Sequence, residues 1–331
     1  MSDKNMNKDE KIAPLTADDL EAVIAIDSAN SGVSRRGYFE KRLDAATDRP
    51  RDYVYVGLHS GGNLVGFAFA RLVEGEFGKP GASASLDAIG VDPAMQGKGI
   101  AQRILKEVEN ILTHKGVSEV HSQVEWSDRA LLGFLGHNGF AMDSRMVLAR
   151  STDEIPPDYP EAGSIEEPSE IDHSSPDGDD FVALARDKVP VRSMKEADLK
   201  SLIKIDSRVS GQERTTYYER KQNEVLNGSG IGVSLVAELE DYPVGFIMAR
   251  VDFGEFGRTG KEAVMDTIGV DPGYQGQGVG KALMSQLMAN LAILKVETVY
   301  TEVDWDDVDV IAYLSTTGFA PAQRITLCRQ I

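Results

Sequence analysis

Along residues 12–150 the spacing of apolar positions changes period in a definite order. Leu20, Val23 and Ile24 lie on one face of a helix. Tyr53 to Leu58 and Leu64 to Arg71 are β-rich runs around His59-Ser60-Gly61-Gly62-Asn63, which predicts a hairpin. Leu86 to Val91 predicts a short strand that stops at Asp92-Pro93, where proline has no N–H for a ladder. Ile104, Leu105, Val108, Ile111 and Leu112 return to helical spacing. A strand from Glu119 to Trp126, a helix closing on Gly139-Phe140 and a last strand follow. This alternation predicts a mixed α/β sheet with helices on its faces.

The order then repeats. IGVDPAMQGKGIA begins at residue 89 and IGVDPGYQGQGVG at residue 268, an interval of 179 that holds along the chain without a gap. Ile26-Asp27-Ser28 returns as Ile205-Asp206-Ser207, and Val65-Gly66-Phe67 as Val244-Gly245-Phe246. Gly75-Glu76-Phe77-Gly78 returns as Gly254-Glu255-Phe256-Gly257, and Trp126 as Trp305. So long a period is domain duplication, not a solenoid unit. In the second copy Leu199, Leu202 and Ile203 mark the first helix, with Ser193 and Glu196 spaced as a capping box. Leu283, Met284, Leu287 and Leu291 mark the helix after the glycine turn, and Glu297 to Trp305 the next strand. The expected organisation is a disordered tail over 1–11, a domain over 12–150, an acidic linker over 151–188 and a second domain over 189–331.

The net charge of −18 would repel nucleic acid and anionic membrane surfaces. Eleven of the acidic residues, however, lie between Ser151 and Asp180, a stretch without Lys or Arg, so the two domains are only mildly acidic. That stretch is also rich in Pro and Ser, which predicts an extended, solvated connection. No apolar run is long enough to cross a bilayer, and MSDKNMNKDEK is too polar for a signal peptide, so the expectation is a cytoplasmic protein. Cys328 is the single cysteine, which excludes an internal disulfide and thiolate clusters. His59, His114, His121, His137 and His173 all precede the second repeat and are too scattered for ligand spacing; no metal is expected.

A strand, a glycine-rich turn and a helix N-terminus together make an anion site. The first helical N–H groups lack partners, the helix dipole adds to them, and glycine removes the Cβ from the approach. The loop is not a Walker A sequence, since Lys98 is followed by Gly99 and the second copy has Gln277. It is not the dinucleotide fingerprint either, since position 102 is Gln102. Taken by themselves, the residues give an anion site that occurs twice.

Gln96-Gly97-Lys98-Gly99-Ile100-Ala101 and Gln275-Gly276-Gln277-Gly278-Val279-Gly280 resemble the Gln/Arg-x-x-Gly-x-Gly/Ala signature of the GCN5-related N-acetyltransferase (GNAT) superfamily. The preceding Ile-Gly-Val-Asp-Pro strand, the helix after the loop, the later strand and the helix closing on Gly-Phe follow that family's order. The resemblance covers nearly all of the chain outside tail and linker. It implies an α/β fold of two tandem GNAT-like domains, each a mixed, mostly antiparallel sheet flanked by helices. It also implies acetyl-coenzyme A as co-substrate, with its pyrophosphate on the amides of the two loops. Its pantetheine arm would lie along the backbone of Ile89, Gly90 and Val91, or of Ile268, Gly269 and Val270. Lys98 and Arg103 add positive charge beside the first loop, and Lys281 beside the second. The activity so implied is direct transfer of acetyl to a primary amine of a small molecule or protein, without nucleic acid or membrane as partner. The chain would be a monomer with pseudo-dimeric domains or a homodimer.

An alkylammonium acceptor is only about one part in a thousand neutral at pH 7, so attack needs a base. Three acidic positions occur in both copies, Glu76/Glu255, Asp87/Asp266 and Glu125/Asp304. Asp87 and Asp266 lie on the strand leading to the loop and are preferred as bases, with Glu76 and Glu255 next. The tyrosine that many members place four residues before the glycine of Gly-Phe, as acid for the leaving thiolate, is Leu135 here, and Leu314 in the second copy. Tyr313 offers a hydroxyl one residue earlier, in the second domain only, because its counterpart is Phe134. Arg35/Arg214, Tyr38/Tyr217 and Trp126/Trp305 lie in segments that line the acceptor groove of similar proteins, although buried tryptophans and surface arginines would explain them without a ligand. Two alternatives stay open: a mycothiol-synthase-like tandem acetyltransferase with one active domain, and a non-catalytic coenzyme A-binding regulatory protein.

Overall fold

A computed structural model describes residues 9–74, 82–152, 189–223, 232–252, 255–257 and 260–331. The first repeat runs β1 (Glu10–Pro14), α1 (Leu20–Ser31), α2 (Arg36–Asp48), β2 (Tyr53–Ser60), β3 (Asn63–Glu74), β4 (Ala82–Val91), α3 (Ile100–His114), β5 (Glu119–Glu125), α4 (Arg129–His137) and β6 (Ala141–Ser151). The second repeats that order with β7 (Val191–Ser193), α5 (Leu199–Ser210), α6 (Thr215–Asn223), β8 (Leu235–Leu239), β9 (Tyr242–Asp252), β10 (Glu262–Val270), α7 (Val279–Ile293), β11 (Thr298–Asp304), α8 (Val308–Thr316) and β12 (Ala320–Gln330). Most of the expected tail and linker lies outside the described residues, but Glu10 and Lys11, expected in the tail, are strand.

By contacts the chain forms two compact units, one of Met1–Met146, Asp252–Gly260 and Gln323–Ile331, the other of Val147–Val251 and Lys261–Ala322. In the first, the strands follow the order β1-β2-β3-β4-β5-β12; in the second, β7-β8-β9-β10-β11 with the end of β6 at the far edge. The domain bounds expected from the repeat therefore differ from these units at the closing strands. Residues Arg324–Gln330 pair antiparallel with β5, from Arg324 opposite Glu125 to Gln330 opposite Glu119. Alternation along a strand specifies which face it buries, not which edge it completes, so this placement is not written in the local pattern.

Each sheet carries helices on both faces, and strand alternation divides the two cores. In the first unit Val54, Val56, Leu58, Ala68, Ala70, Ala84 and Leu86 pack with the α3 stripe of Ile100, Ile104, Leu105, Val108 and Leu112. Tyr55, Phe67 and Phe69 face the other way, onto Val23, Ile26, Tyr38 and Phe39 of α1 and α2. The corresponding face of the second unit gathers Leu202, Ile205, Tyr217, Tyr218, Phe246 and Met248. The β2–β3 turn is tighter than expected. Gly61 and Gly62 both take positive φ, +57° and +83°, which a two-residue hairpin turn needs, and Ser60 pairs with Asn63. The capping box is displaced too: Ser193 ends β7, while the carboxylate of Asp198 accepts the Lys195 N–H at 2.7 Å.

One repeated glycine brings the loop-bearing helix close to the sheet. A Cβ on Gly66 would stand 2.9 Å from Ile104, 3.0 Å from Ile100 and 3.1 Å from the Gly90 carbonyl; on Gly245 it would stand 2.7 Å from Val279 and 3.2 Å from the Gly269 carbonyl. The Val-Gly-Phe element of both repeats thus lets α3 and α7 lie directly on β3 and β9.

Candidate active sites

Each unit has a cleft where two parallel strands part. The β4–β5 ladder holds only the pairs Ser83–Glu119, Ala84–Val120 and Ser85–His121. The β10–β11 ladder holds Glu262–Thr298, Ala263–Val299 and Val264–Tyr300. The last link in each is a side chain: the Ser122 hydroxyl donates to the Leu86 carbonyl, and the Thr301 hydroxyl to the Met265 carbonyl, both at 2.9 Å. Past these bonds β4 continues to Val91 beside β3 and β5 to Glu125 beside β12, but the two no longer pair with each other. The cause in the first unit is a bulge in β4. Phe69 opposes Ala88 and Ala70 opposes Leu86, so Asp87 is an extra residue, and a bulge bends and twists its strand.

At the end of β4 the chain turns through Asp92-Pro93. Asp92 donates its N–H to the Val65 carbonyl and accepts from Ala94 N at 2.9 Å. Asp271 does the same with Val244 and Gly273. Gly97 and Gly99 then take φ of +75° and +73°, Gly276 and Gly278 of +75° and +84°. Gly99 and Gly278 are the N-caps of α3 and α7, so neither helix has a capping side chain on its first turn. Among the described residues, chain neighbours aside, no atom lies within 4 Å of where a Cβ would stand on any of these four glycines. The result in both units is a helix N-terminus capped by glycine, with no capping side chain over its first turn, an arrangement that suits a phosphate.

The loop glutamines hold the backbone rather than extend from it. Gln96 donates to Asn30 Oδ1 at 2.8 Å and to the Val91 carbonyl at 3.3 Å, and Gln275 to the Val270 carbonyl at 3.3 Å. Gln277 reaches back to the Gly273 carbonyl at 3.1 Å. The positive charge expected beside the first loop is partly offset, because Arg103 is paired with Glu10 at 2.9 Å, while Lys98 donates to the neutral Ala94 carbonyl at 3.4 Å.

The preferred carboxylates are built into the sheet. Asp87, only 2% exposed, accepts from Arg71 Nε at 2.9 Å and from the Ser85 hydroxyl at 2.6 Å. Asp266 lies 3.2 Å from Arg250 Nε and 3.1 Å from Lys221 Nζ, which is itself buried. Arg71 and Arg250 are equivalent in the two repeats, and the sequence reading missed them; the 179-residue interval would have found them. Glu76 lies outside the described residues. Residue 255 lies in the first unit, not in the second, where the repeat put it. The hydroxyl of Tyr313 donates to the Gly280 carbonyl in the first turn of α7 at 2.9 Å, and burial pushes its phenol well above the usual tyrosine range. It stands as a strut beneath the second loop.

The paired aromatic and arginine residues reverse the simpler expectation. Trp126 is 69% and Trp305 55% exposed, each just past the open end of its cleft. Arg35 is buried and ion-paired with Asp27, over the rings of Tyr38 and Phe39; Arg214 pairs with Asp206 over Tyr217 and Tyr218. Planar guanidinium groups stack on aromatic faces, so these arginines tie α1 to α2 and α5 to α6.

One titratable cluster belongs to the first unit alone. His121 Nδ1 lies 2.9 Å from Asp143 Oδ2 and its Nε2 3.0 Å from Glu119, while Arg145 also pairs with Asp143. The corresponding residues of the second repeat are Tyr300, Ala322 and Thr298, with Arg324 matching Arg145. Burial would raise the Asp143 carboxyl, but the bond from His121 and the charge of Arg145 outweigh it and hold the group well below the usual range. A carboxyl lowered on folding gives its stabilisation above the unfolded value near 4 and loses it as pH falls towards the folded one. Asp143→Asn is expected to cost about 3 kcal/mol at neutral pH and clearly less in acid, where the parent loses the same contribution. Urea midpoints of both proteins at neutral and acidic pH check this, and a constant gap would count against it.

Among the described residues no group of ligating side chains could hold a metal ion, and no helix is long and apolar enough to cross a membrane. The model of the family described as acetyltransferase (GNAT) matches residues 21–140 and again 198–319. The N-alpha-acetyltransferase RimI of Mycobacterium tuberculosis is 47% identical over 55 residues, 16% of this chain and 32% of that protein, so the match spans about a third of the relative. A GCN5-related glucosamine N-acetyltransferase region of a fungal multi-domain GH3 β-N-acetylglucosaminidase superposes with a TM-score of 0.65 at 16% identity, over 99% of this chain and 39% of that one. A tandem GNAT protein from the clavulanic acid biosynthesis pathway gives 0.63 at 14% identity, over 97% and 98% of the two chains. An N-acetyltransferase from Sphaerobacter thermophilus gives 0.60 at 14% identity, over 98% and 97%. At such identities the likeness is one of fold.

Proposed function

The chain belongs to the acetyltransferase (GNAT) family, and we propose that it transfers an acetyl group from acetyl-coenzyme A directly to a primary amine of a small molecule or peptide. The observation that carries this reading is the open, glycine-capped helix N-terminus beside a parted pair of parallel strands, present in both units. The first-turn amides of α3 and α7 are the groups that would take the pyrophosphate. The unpaired edges of β4 and β10 past the ladders would take the pantetheine amides and offer an N–H to the thioester oxygen as charge develops on it.

The acceptor ammonium must lose a proton before it attacks. Glu125 suits this task best in the first unit: it ends β5 at the open side of the cleft and its side chain is 52% exposed, with Arg324 at 3.1 Å. Asp304 holds the same position in the second unit. Asp87 and Asp266, engaged by Arg71, Ser85, Lys221 and Arg250, serve better as supports that keep the parted strand in position. With Tyr313 bonded to a carbonyl, water is the simplest proton source for the leaving thiolate.

The test is thiol release by the full chain from acetyl-coenzyme A with spermidine, lysine methyl ester, glucosamine or a peptide with a free N-terminal alanine. Turnover of at least one amine is the expected result. Binding of acetyl-coenzyme A without acetylation of any of them would favour a regulatory protein instead.

A further inference from the structure

The Gly-Glu-Phe-Gly motif occurs in both repeats, and the acetyl-transfer reading gives its second copy no role. Residues Asp252–Gly260 come from the second repeat but fold as part of the first unit. There the short turn Glu255–Gly257 packs on both β4 and β5, the strands that part to make the first cleft. Arg324 of β12, a buried side chain of the same unit, anchors it. Its Nη1 donates to the Phe256 carbonyl at 3.3 Å, and its Nη2 donates to Glu125 Oε1 at 3.1 Å, at the open end of β5. A single guanidinium thereby fixes the turn to the end of the cleft farthest from the ladder.

Phe256 is half-buried, with φ +50° and ψ +37°, a left-handed conformation that bulky side chains seldom adopt. Such residues persist where their surroundings overdetermine them, and they gather at ligand-binding sites. On the β4 side the cleft ends in the loop of Gly97 and Gly99. The open end of the cleft, bordered by Glu125, the exposed Trp126 and the Phe256 turn that packs on both strands, is what remains for an acceptor. We propose that Glu255–Gly257 of the second repeat form part of the acceptor wall of the first unit, and that Phe256 is a specificity-determining residue there. The inference rests on the acetyl-transfer reading.

The test uses the full chain carrying Gly278→Val, which confines coenzyme binding to the first unit. In that background Phe256→Ala is expected to raise the acceptor KM about tenfold and to reorder the four amines, because uniform binding is what it removes. The acetyl-coenzyme A Kd by calorimetry stays within about twofold, and Phe256→Tyr keeps the parental KM. An unchanged KM, or a Kd that shifts as far as the KM, overturns the proposal. Should Phe256→Ala fail to fold, Phe256→Leu carries the same comparison. If the parent binds acetyl-coenzyme A yet acetylates none of the amines, it is the transfer reading that has failed, and hydrogen exchange decides on the wall. Slower exchange at the Phe256 and Gly257 amides on adding acetyl-coenzyme A supports it, and unchanged exchange overturns it.

Discussion

Gly99→Val removes acetyl-coenzyme A binding from the first unit and leaves the second intact, and Gly278→Val does the reverse: this is the expected result of a calorimetric titration in which the parent binds two equivalents and each variant one. The argument starts from the backbone. Both glycines are helix N-caps at positive φ, +73° and +84°. A side chain in the left-handed region costs roughly 1–2 kcal/mol, and β-branching makes it worse, so the loop relaxes to another conformation. The relaxed loop no longer aims its amides together. Each charge-assisted hydrogen bond to a phosphate is worth about 1.5–3 kcal/mol, so losing two weakens binding on the order of a hundredfold or more. The empty space around each Cβ position matters here. The substitution acts through backbone conformation and through the ligand's approach, not by disrupting the core, so the melting temperature should move little. A parent that binds one equivalent would mark one loop as a relic of the duplication, and two equivalents in both variants would remove the loops from the site altogether.

Truncation after Ala322 is expected to unfold the first unit while the second keeps its fold, although the missing residues belong to the second repeat. Residues Arg324–Gln330 supply seven paired positions along β5, and Leu327 adds a buried side chain to the core beneath α3. Arg329 bridges to the buried Glu109 of α3 at 2.7 Å, and Ile331 donates its N–H to the Ser118 carbonyl at 3.0 Å. Truncation would leave the buried Glu109 with only the exposed Lys106, at 3.5 Å, in place of that cation, and removing one partner of a buried ion pair costs about 3–5 kcal/mol. Together with the lost ladder this is comparable to the 5–15 kcal/mol or so that holds an entire domain. Hydrogen exchange read by peptide should show loss of protection over β2 to β5 and retained protection over β8 to β11. Uniform loss, or none, would contradict the assignment of the last strand. For the same reason a fragment cut at the repeat boundary, residues 12–150, is expected to be insoluble.

Much of this was legible in the sequence. The helical stripe of α3, the alternation of β2 and β3, and the Asp-Pro corner all depend on neighbours a few residues apart, which is the range over which periodicity carries information. The glycines of the two loops were legible for the same reason, since positive φ is a local demand. What pairs with the closing strands was not, because β5 and β12 lie some two hundred residues apart and alternation is blind to distance. Burial of charge was misjudged in the same way. Arg35 looks like a surface residue until its partner Asp27 is brought beside it by the fold, Arg71 stands out only once Asp87 is beside it, and Trp126 looks like core until its strand turns out to end there. The fixed interval of the repeat held more than was taken from it: beside Asp27/Asp206 and Arg35/Arg214, which it gave, Arg71/Arg250 and Ser122/Thr301 are visible as pairs.

The extra residue in β4 also changes the count of the strand. Before it, Ala84 and Leu86 face α3; after it, Ile89 and Val91 do, while Ala88 joins the opposite core and Gly90 lies against the Phe67 ring. Even positions face the helix on one side of Asp87 and odd positions on the other, so the strand keeps its core contacts only by changing parity there. A deletion at this point would leave Ile89 and Val91 under the helix, because Ala88 would follow Leu86 in regular alternation, but it would remove the bulge and straighten the strand. Replacing the carboxylate would leave the parity untouched. Position 87 therefore serves the cleft first as a unit of length, and only second as a charge.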